Sequence, residues 1–443
     1  MGAMTSTEPE PPPPATDPPI PAPDGPPAPY AVPPRLSSAG ATARTFAALS
    51  VPNYRRFFSG QAISLTGTWM QSVALAWLVL QLTGSATWLG LAVALQTLPI
   101  LLLGPYAGVL VDRVDKRRLL VGTQSAAALL ALVLGVLTVR DVVTMPWVLL
   151  LSLALGLVNS LDNPARQAFV REMVPEHLVR NAVTLSSVVV NASRAVGPAV
   201  AGVLIAGLGV GVCFLVNAAS FVAVIAAYLL MDTSELRPST PAPRAPGQLR
   251  QGLTYVRRTR DLFVPLLMMA LVGTLTYEFQ VSLPALVTDT FGEGATSLGW
   301  TFAAMGIGAV VGGLVSASRH ATGIRPMVAS STAFGTATAI TALAPTVQVA
   351  VASLLLVGAA SVWFLSVGNA TLQVTAQPQM RGRVMALWAV AFLGTTPVGG
   401  PLVGWVAEHV SPRWALGVGA GAALVAAALG ASVLRRRPAP TRG

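Results

Sequence analysis

The sequence predicts an all-α membrane protein with twelve transmembrane helices in two pseudo-symmetric six-helix halves. Three observations lead to this prediction: the composition, a series of apolar stretches of membrane-spanning length, and the distribution of the basic residues. Of the 443 residues, 53% are hydrophobic and only 10% are charged, whereas soluble domains carry about 25% charged residues. A soluble enzyme could not hide so much apolar surface from water.

The apolar stretches begin at Phe57, and each is close to the roughly 20 residues that a spanning helix needs. The predicted spans are 57–82, 87–111, 119–139, 146–167, 182–206, 211–231, 263–288, 296–317, 326–343, 348–372, 384–408 and 413–434. We expect residues 1–52 to form a disordered, proline-rich cytoplasmic tail. The predicted halves are then 53–231 and 263–434, with a cytoplasmic linker at 232–262 and a second tail at 435–443.

The basic residues fall almost entirely on one side of these spans. If the N-terminus is cytoplasmic, 25 of the 28 arginine and lysine side chains lie in cytoplasmic segments, and only Arg140 and Arg413 lie in outer loops. An excess of this kind marks the cytoplasmic side of a membrane protein. It predicts that both termini are cytoplasmic and that the bilayer is the inner (cytoplasmic) membrane. It also explains the net charge of +11 without nucleic acid.

Two landmarks recur in the two halves. Gly197-Pro198 followed by Gly202 in helix five is matched by Gly400-Pro401 followed by Gly404 in helix eleven, at an offset of 203 residues. Gly90 near the start of helix two is matched by Gly299 at an offset of 209 residues. A parallel repeat of six helices predicts a cavity between the halves near the middle of the membrane. Glycine and proline are also common in membrane helices, so each pair alone could mark only a kink or a packing site.

Three charged residues inside the predicted spans are candidate functional groups: Arg194, Asp162 and Glu278. Because an isolated charge in the membrane is costly, we expect Arg194 to face the cavity and to pair with Asp162 or Glu278. Glu278 is the candidate proton carrier, since a buried carboxyl group can take and release a proton. The alternatives are a purely structural role for Arg194 and a hydrated position at the outer mouth for Glu278. Aromatic residues that could line a cavity are Trp69, Trp77, Tyr277, Trp363, Phe364 and Trp388.

The loop after helix two carries a glycine, an aspartate and three arginines at fixed spacing. These residues are Gly108, Asp112, Arg113, Arg117 and Arg118. The pattern resembles the G-x-x-x-D-R-x-G-x-R-R signature of the major facilitator superfamily, with Asp115 in place of the second glycine. The resemblance implies a gate latch at the cytoplasmic face.

Helix five strengthens this resemblance. Gly197, Pro198 and Gly202 are similar to the G-P-x-x-G-G motif of proton-driven drug exporters, with Ala201 replacing one glycine. The segment from Asp162-Asn163-Pro164 to Gly197-Pro198 is similar to the branch that contains enterobactin exporters and macrolide-efflux proteins. The resemblance implies a twelve-helix transporter that exports its substrate.

The predicted function is therefore secondary active export of a small amphipathic or apolar molecule, with protons as the coupling ion. The alternatives are a symporter that imports a nutrient or siderophore and, from another class, a non-transporting membrane sensor or a membrane enzyme. No cofactor and no metal are expected, because the chain has one cysteine, scattered histidines and no phosphate-binding loop. The sequence does not determine the oligomeric state, and a monomer would suffice because one chain holds both halves.

Overall fold

The computed structural model describes residues 45–237, 248–319, 321–393 and 395–435. Within these ranges the chain is helical and has no β-strand, which confirms the predicted fold class. Most of the predicted N-terminal tail and the tail from residue 436 onward lie outside the described residues. The described end of the first tail forms a short 3-10 turn at Ala47–Ser50.

Six long helices form the first half. They are α1 (Pro52–Thr83), α2 (Ala86–Arg113), α3 (Lys116–Val139), α4 (Met145–Met173), α5 (Glu176–Leu208) and α6 (Val210–Leu229). The connection between α1 and α2 illustrates how the local sequence sets helix ends. Gly84 closes α1 in the left-handed conformation with φ of 60°, and the Ser85 hydroxyl accepts a hydrogen bond from the N–H of Trp88 at the start of α2. A glycine at a helix C-terminus followed by a serine N-cap lets the chain reverse within two residues.

In the described residues, the linker and the second half contain nine α-helical segments. They are α7 (Gln248–Arg258), α8 (Arg260–Leu275), α9 (Phe279–Ala285), α10 (Ala295–Arg319), α11 (Ile324–Ala342), α12 (Val347–Thr375), α13 (Arg381–Leu393), α14 (Thr396–His409) and α15 (Pro412–Arg435). Helices α8 and α9, with a π-helical turn at Leu286–Thr290, make up the seventh span, and α13 and α14 make up the eleventh. Helix α7 lies in the segment that the sequence predicted only as a linker.

Eleven of the described spans are long and apolar enough to cross a membrane. The remaining predicted span corresponds to α11, which has 19 residues, six of them serine or threonine. Most of these hydroxyls bond to carbonyls of their own helix: Thr338 donates to Phe334 and Thr341 donates to Ala337. Because the polar groups are satisfied inside the helix, α11 packs between α12 and α15 although its composition is less apolar than that of its neighbours.

The two ends of the bundle differ in charge. We call the end with loops 114–115, 174–175 and 376–380 the basic end, and the end with residues 84–85, 209 and 410–411 the opposite end. The two halves approach each other closely toward the opposite end, where α2 packs on α14 and α5 packs on α10. These contacts hold the halves together there.

Glycines form these contacts symmetrically. A Cβ placed on Gly90 would lie 2.6 Å from the carbonyl carbon of Gly400 and 2.9 Å from the Cα of Pro401. The repeat-related Gly299 would place a Cβ 2.6 Å from the carbonyl oxygen of Pro198. The repeated landmarks in the sequence are therefore the points at which the backbones of the two halves touch.

Candidate functional site

The seventh span is interrupted near its middle. Helix α8 ends at Leu275, α9 begins at Phe279, and the three residues between them are not helical. The Thr276 hydroxyl donates to the carbonyl of Gly419 at 2.7 Å, which ties the interruption to α15. Interrupted membrane helices occur where backbone is buried in protein or lines a cavity, and they are common at transporter binding sites. The sequence predicted this span as one continuous helix, 263–288.

The interruption presents Tyr277 to an aromatic cluster. The Tyr277 ring meets Phe334 of α11 and Phe392 of α13 edge to face, with both centroid distances at 5.1 Å. Its hydroxyl donates to the carbonyl of Ser361 at 2.7 Å. Tyr277 was a sequence candidate, whereas Phe334 and Phe392 were missed because an isolated phenylalanine in an apolar helix gives no signal of its own.

Glu278 is the next residue and points toward α14. It is buried, with only 3% of its surface exposed, so it does not occupy a hydrated outer mouth. Its Oε1 has no hydrogen-bond partner within the described residues. A Cβ placed on Gly399 would lie 2.9 Å from that oxygen, so the absence of side chains at Gly399 and Gly400 makes room for the carboxyl group. No described arginine or lysine forms an ion pair with it.

Arg194 lies on α5 and stacks over Trp69 of α1, with its Cζ 4.7 Å from the ring centroid. The hydrogen bond from Thr66 to Ser193 and the close packing of Gly197 on α1 hold this part of α5 in place. The Nε of Arg194 is buried and has no partner in the described chain. The expected pairing of Arg194 with Asp162 or Glu278 does not form.

Asp162 is instead held within the first half. Its Oδ1 accepts hydrogen bonds from Thr123 at 2.8 Å and from Gln124 at 2.7 Å, both on α3. Its other oxygen lies 3.9 Å from the Nε of Arg166, one turn further along α4. Asp162 is only 4% exposed. These partners stabilise the buried carboxylate of Asp162 within the first half. Asp162 is therefore not paired with Arg194.

The loop at the end of α2 is bound to the first half. Asp115, the departure from the superfamily signature, caps α3 by accepting from the N–H of Arg118 at 2.9 Å. Arg117 donates to the carbonyls of Tyr228 and Leu229 at the end of α6. Gly108, Asp112 and Arg113 lie in the last two turns of α2. Asp115 therefore acts as the N-cap of α3 at the position where the superfamily signature has its second glycine.

A buried ion pair beside this loop was missed by the sequence analysis. The Nζ of Lys116 lies 2.8 Å from the Oε1 of Glu172 on α4, and both side chains are less than a tenth exposed. Lys116 is the only lysine in the chain. A single lysine among many arginines is a sequence feature that could have identified this position as a candidate. Pairing compensates the cost of burying the two charges.

Comparison with known proteins identifies the family. The sequence model of the transporter family described as "Transmembrane secretion effector" matches residues 43–439. The chain belongs to this family, which lies in the major facilitator superfamily. Its relatives are transporters of this superfamily and not enzymes.

Relatives of the chain include efflux proteins. It is 30% identical to the multidrug efflux pump Tap of Mycolicibacterium fortuitum and 25% identical to macrolide efflux protein A of Streptococcus pyogenes; each match covers 77% of this chain and 86% of the relative. It is 28% identical to the staphyloferrin A transporter of Staphylococcus aureus (strain NCTC 8325 / PS 47) over 58% of this chain, and that match spans only 65% of the relative's length. The predicted resemblance to macrolide-efflux proteins is confirmed.

Solved structures agree on the fold. A bacterial homologue of the human lysosomal transporter Spinster, crystallised in an inward-facing and unoccupied conformation, matches 88% of this chain and 99% of its own with a TM-score of 0.68 at 14% identity. At this identity the match supports the twelve-helix transporter fold alone.

Proposed function

We propose that this protein exports a small amphipathic or apolar molecule in exchange for protons. The observation that carries the proposal is the Glu278 carboxyl group, which is buried at the interruption of the seventh span. It has a hydrogen bond with the side chain of Thr396, but its Oε1 has no partner and no described arginine or lysine forms an ion pair with it. A buried carboxylate without a cation partner is costly in a membrane interior, so binding a proton compensates its burial. The efflux relatives support the outward direction.

The neighbouring positions of Tyr277 and Glu278 give this exchange a physical basis. Tyr277 belongs to the aromatic cluster with Phe334 and Phe392, and Glu278 faces Gly399 of α14. In this proposal, a substrate that displaces the Tyr277 ring also shifts the adjacent non-helical backbone, and with it the carboxyl group. Proton binding and substrate binding would then act on the same three-residue interruption.

The orientation of the protein in the membrane follows from the asymmetry of the bundle. By the positive-inside rule, the basic end and both termini face the cytoplasm, and the protein resides in the cytoplasmic membrane. The glycine contacts close the two halves at the opposite end, so this conformation corresponds to access from the cytoplasm. Rocking of one half against the other would break these contacts and expose the site outside. One chain supplies both halves, so a monomer suffices.

The test is proton release from energised everted membrane vesicles that contain the full chain. A fluorescent ΔpH indicator reports dequenching when a cation (ethidium), a neutral compound (chloramphenicol) or an anion (fusidic acid) is added. We expect dequenching with at least one of them. Glu278→Gln, which keeps the shape of the side chain but cannot ionise, should remove at least nine tenths of the response.

Glu235→Gln is the matched control, because Glu235 is exposed in the 3-10 turn Thr233–Glu235 outside the helix bundle. It should behave as the wild type does. A Glu278→Gln protein that inserts at normal levels and still exchanges protons for any of the three compounds would exclude Glu278 as the proton carrier.

A further inference from the structure

Arg194 presents hydrogen-bond donors that the protein leaves unused. The cation–π contact with Trp69 places the guanidinium Cζ 4.7 Å from the ring centroid, and this contact uses none of the five N–H donors of an arginine as a conventional hydrogen bond. The buried Nε has no acceptor, and no described residue forms a hydrogen bond or ion pair with Arg194. Buried charges in proteins are normally paired, so this one lacks its partner.

The two acidic side chains that the sequence offered as partners of Arg194 are engaged elsewhere. Asp162 is bound by Thr123, Gln124 and Arg166, and Glu278 is turned toward Gly399. The Tyr277 hydroxyl donates to the carbonyl of Ser361, and no hydrogen bond joins its oxygen to Arg194 within the described residues. The donors of Arg194 are therefore left for a group that does not belong to the chain.

The residues around Arg194 indicate what kind of body a ligand of its guanidinium group would have. Trp69 comes from the first half, and Tyr277 with its edge-to-face partner Phe392 comes from the second. Arg194 is partly accessible although its Nε is buried, so a ligand can reach the outer part of the guanidinium group. A planar guanidinium beside aromatic faces suits a ligand with one carboxylate on an apolar, aromatic body.

We propose that Arg194 binds the carboxylate of an anionic amphipathic substrate, whose apolar body lies against Trp69, Tyr277 and Phe392. This inference rests on the proposed transport function and deepens it by naming the substrate class. An anion bound there would supply the partner that the described residues do not give to the Nε of Arg194.

A pair of probes with the same body tests the inference on the purified full-length protein. Dansyl-phenylalanine carries a carboxylate, and dansyl-phenylalaninamide is neutral at that position. Binding is followed by energy transfer from tryptophan to the dansyl group. We expect the wild type to bind the acid at least tenfold more tightly than the amide, a difference of about 1.4 kcal/mol.

Arg194→Gln should weaken binding of the acid at least tenfold and leave the amide within twofold. Arg194→Lys keeps the positive charge and should retain a preference for the acid. This variant tests the inference if Arg194→Gln fails to fold. Arg140→Gln is the control, because Arg140 is exposed at the end of α3. Equal binding of the two probes by the wild type, no binding of the acid, or an unchanged preference in Arg194→Gln would each overturn the inference.

The two proposals fail in different ways. If the acid is preferred through Arg194 but Glu278→Gln still exchanges protons, the coupling assignment is wrong and the anion site stands. If the vesicles respond through Glu278 only to ethidium or chloramphenicol and the acid is not preferred, proton-driven export stands and the anion site is wrong.

Discussion

The close approach of Gly90 to α14 allows a direct test of what holds the two halves together. We expect Gly90→Ala to open the bundle at the opposite end. A Cβ on Gly90 would lie 2.6 Å from the carbonyl carbon of Gly400 and 2.9 Å from the Cα of Pro401, and both are backbone atoms that no side-chain rotation can move aside. Carbon atoms in contact stay about 3.5–4.0 Å apart, so α2 and α14 must separate by about 1 Å.

The magnitude follows from the cost of overpacking. Adding a methyl group to a closely packed contact costs about 1–3 kcal/mol. That cost falls only on the conformation in which the halves touch here, so the ratio of open to closed forms should rise by about 5–150-fold. Gly299→Ala should act in the same direction, because its Cβ would lie 2.6 Å from the carbonyl oxygen of Pro198.

The assay measures distances between spin labels on the two halves. Cysteines at Val142 and Leu343, which are exposed at the opposite end on the first and second half, carry the labels. The native Cys213 is fully buried and can be replaced by alanine. The Gly90→Ala distance distribution should gain a longer component. Gly104→Ala, on the same helix with no atom within 4 Å of the new Cβ, should match the wild type.

The reasoning is refuted if Gly90→Ala and Gly299→Ala both fold normally and give the wild-type distance distribution. In that case the close glycine contacts would not determine which end of the bundle is closed. A change of equal size in Gly104→Ala would also contradict it, because the effect would then come from helix α2 itself and not from contact with α14.

Two further predictions concern charged groups outside the central site. Glu408 accepts hydrogen bonds from the Ser85 hydroxyl and the backbone N–H of Thr87, and so joins α14 to the start of α2. Glu408→Ala should raise the ratio of open to closed forms in the same label assay by about fivefold, for a net loss of roughly 1 kcal/mol. An unchanged distance distribution would show that these bonds do not hold the closed end. Lys116→Met removes the ammonium group that forms the buried ion pair with Glu172 and should lower the free energy of unfolding by about 3–5 kcal/mol, seen as a lower melting temperature. A melting temperature equal to that of the wild type would mean that the pair contributes little.

The sequence predicted the helices because the signal for a spanning helix is local. About 20 apolar residues in a row partition into a membrane whatever lies elsewhere in the chain. The repeat was equally readable, since Gly90 and Gly299 stand at corresponding places in the two halves. Helix α11 is the span whose sequence signal is weakest, because its serine and threonine hydroxyls make it less apolar than the other spans. The structure shows that several of these hydroxyls donate to carbonyls of the same helix.

The candidate site was predictable only in part. Tyr277, Glu278 and Arg194 stood out by residue type and position, and the structure places Tyr277 and Glu278 together at the interruption of the seventh span. The pairing of Arg194 with Asp162 was wrong, because Thr123 and Gln124 of the adjacent helix already bind that carboxylate. Such competition between partners cannot be read from spacing along the chain.

The sequence by itself therefore determined where the chain crosses the membrane, how many times it does so, and that it is built from two related halves. These properties depend on the transfer of apolar stretches out of water, to which each residue contributes separately. The tertiary structure alone decided that the seventh span is interrupted at 276–278, that Lys116 pairs with Glu172, and that Arg194 stacks on Trp69 with its donors unused. Those features depend on which side chains meet across helices that are distant in sequence, and packing in three dimensions selects one set of partners from many that the sequence permits.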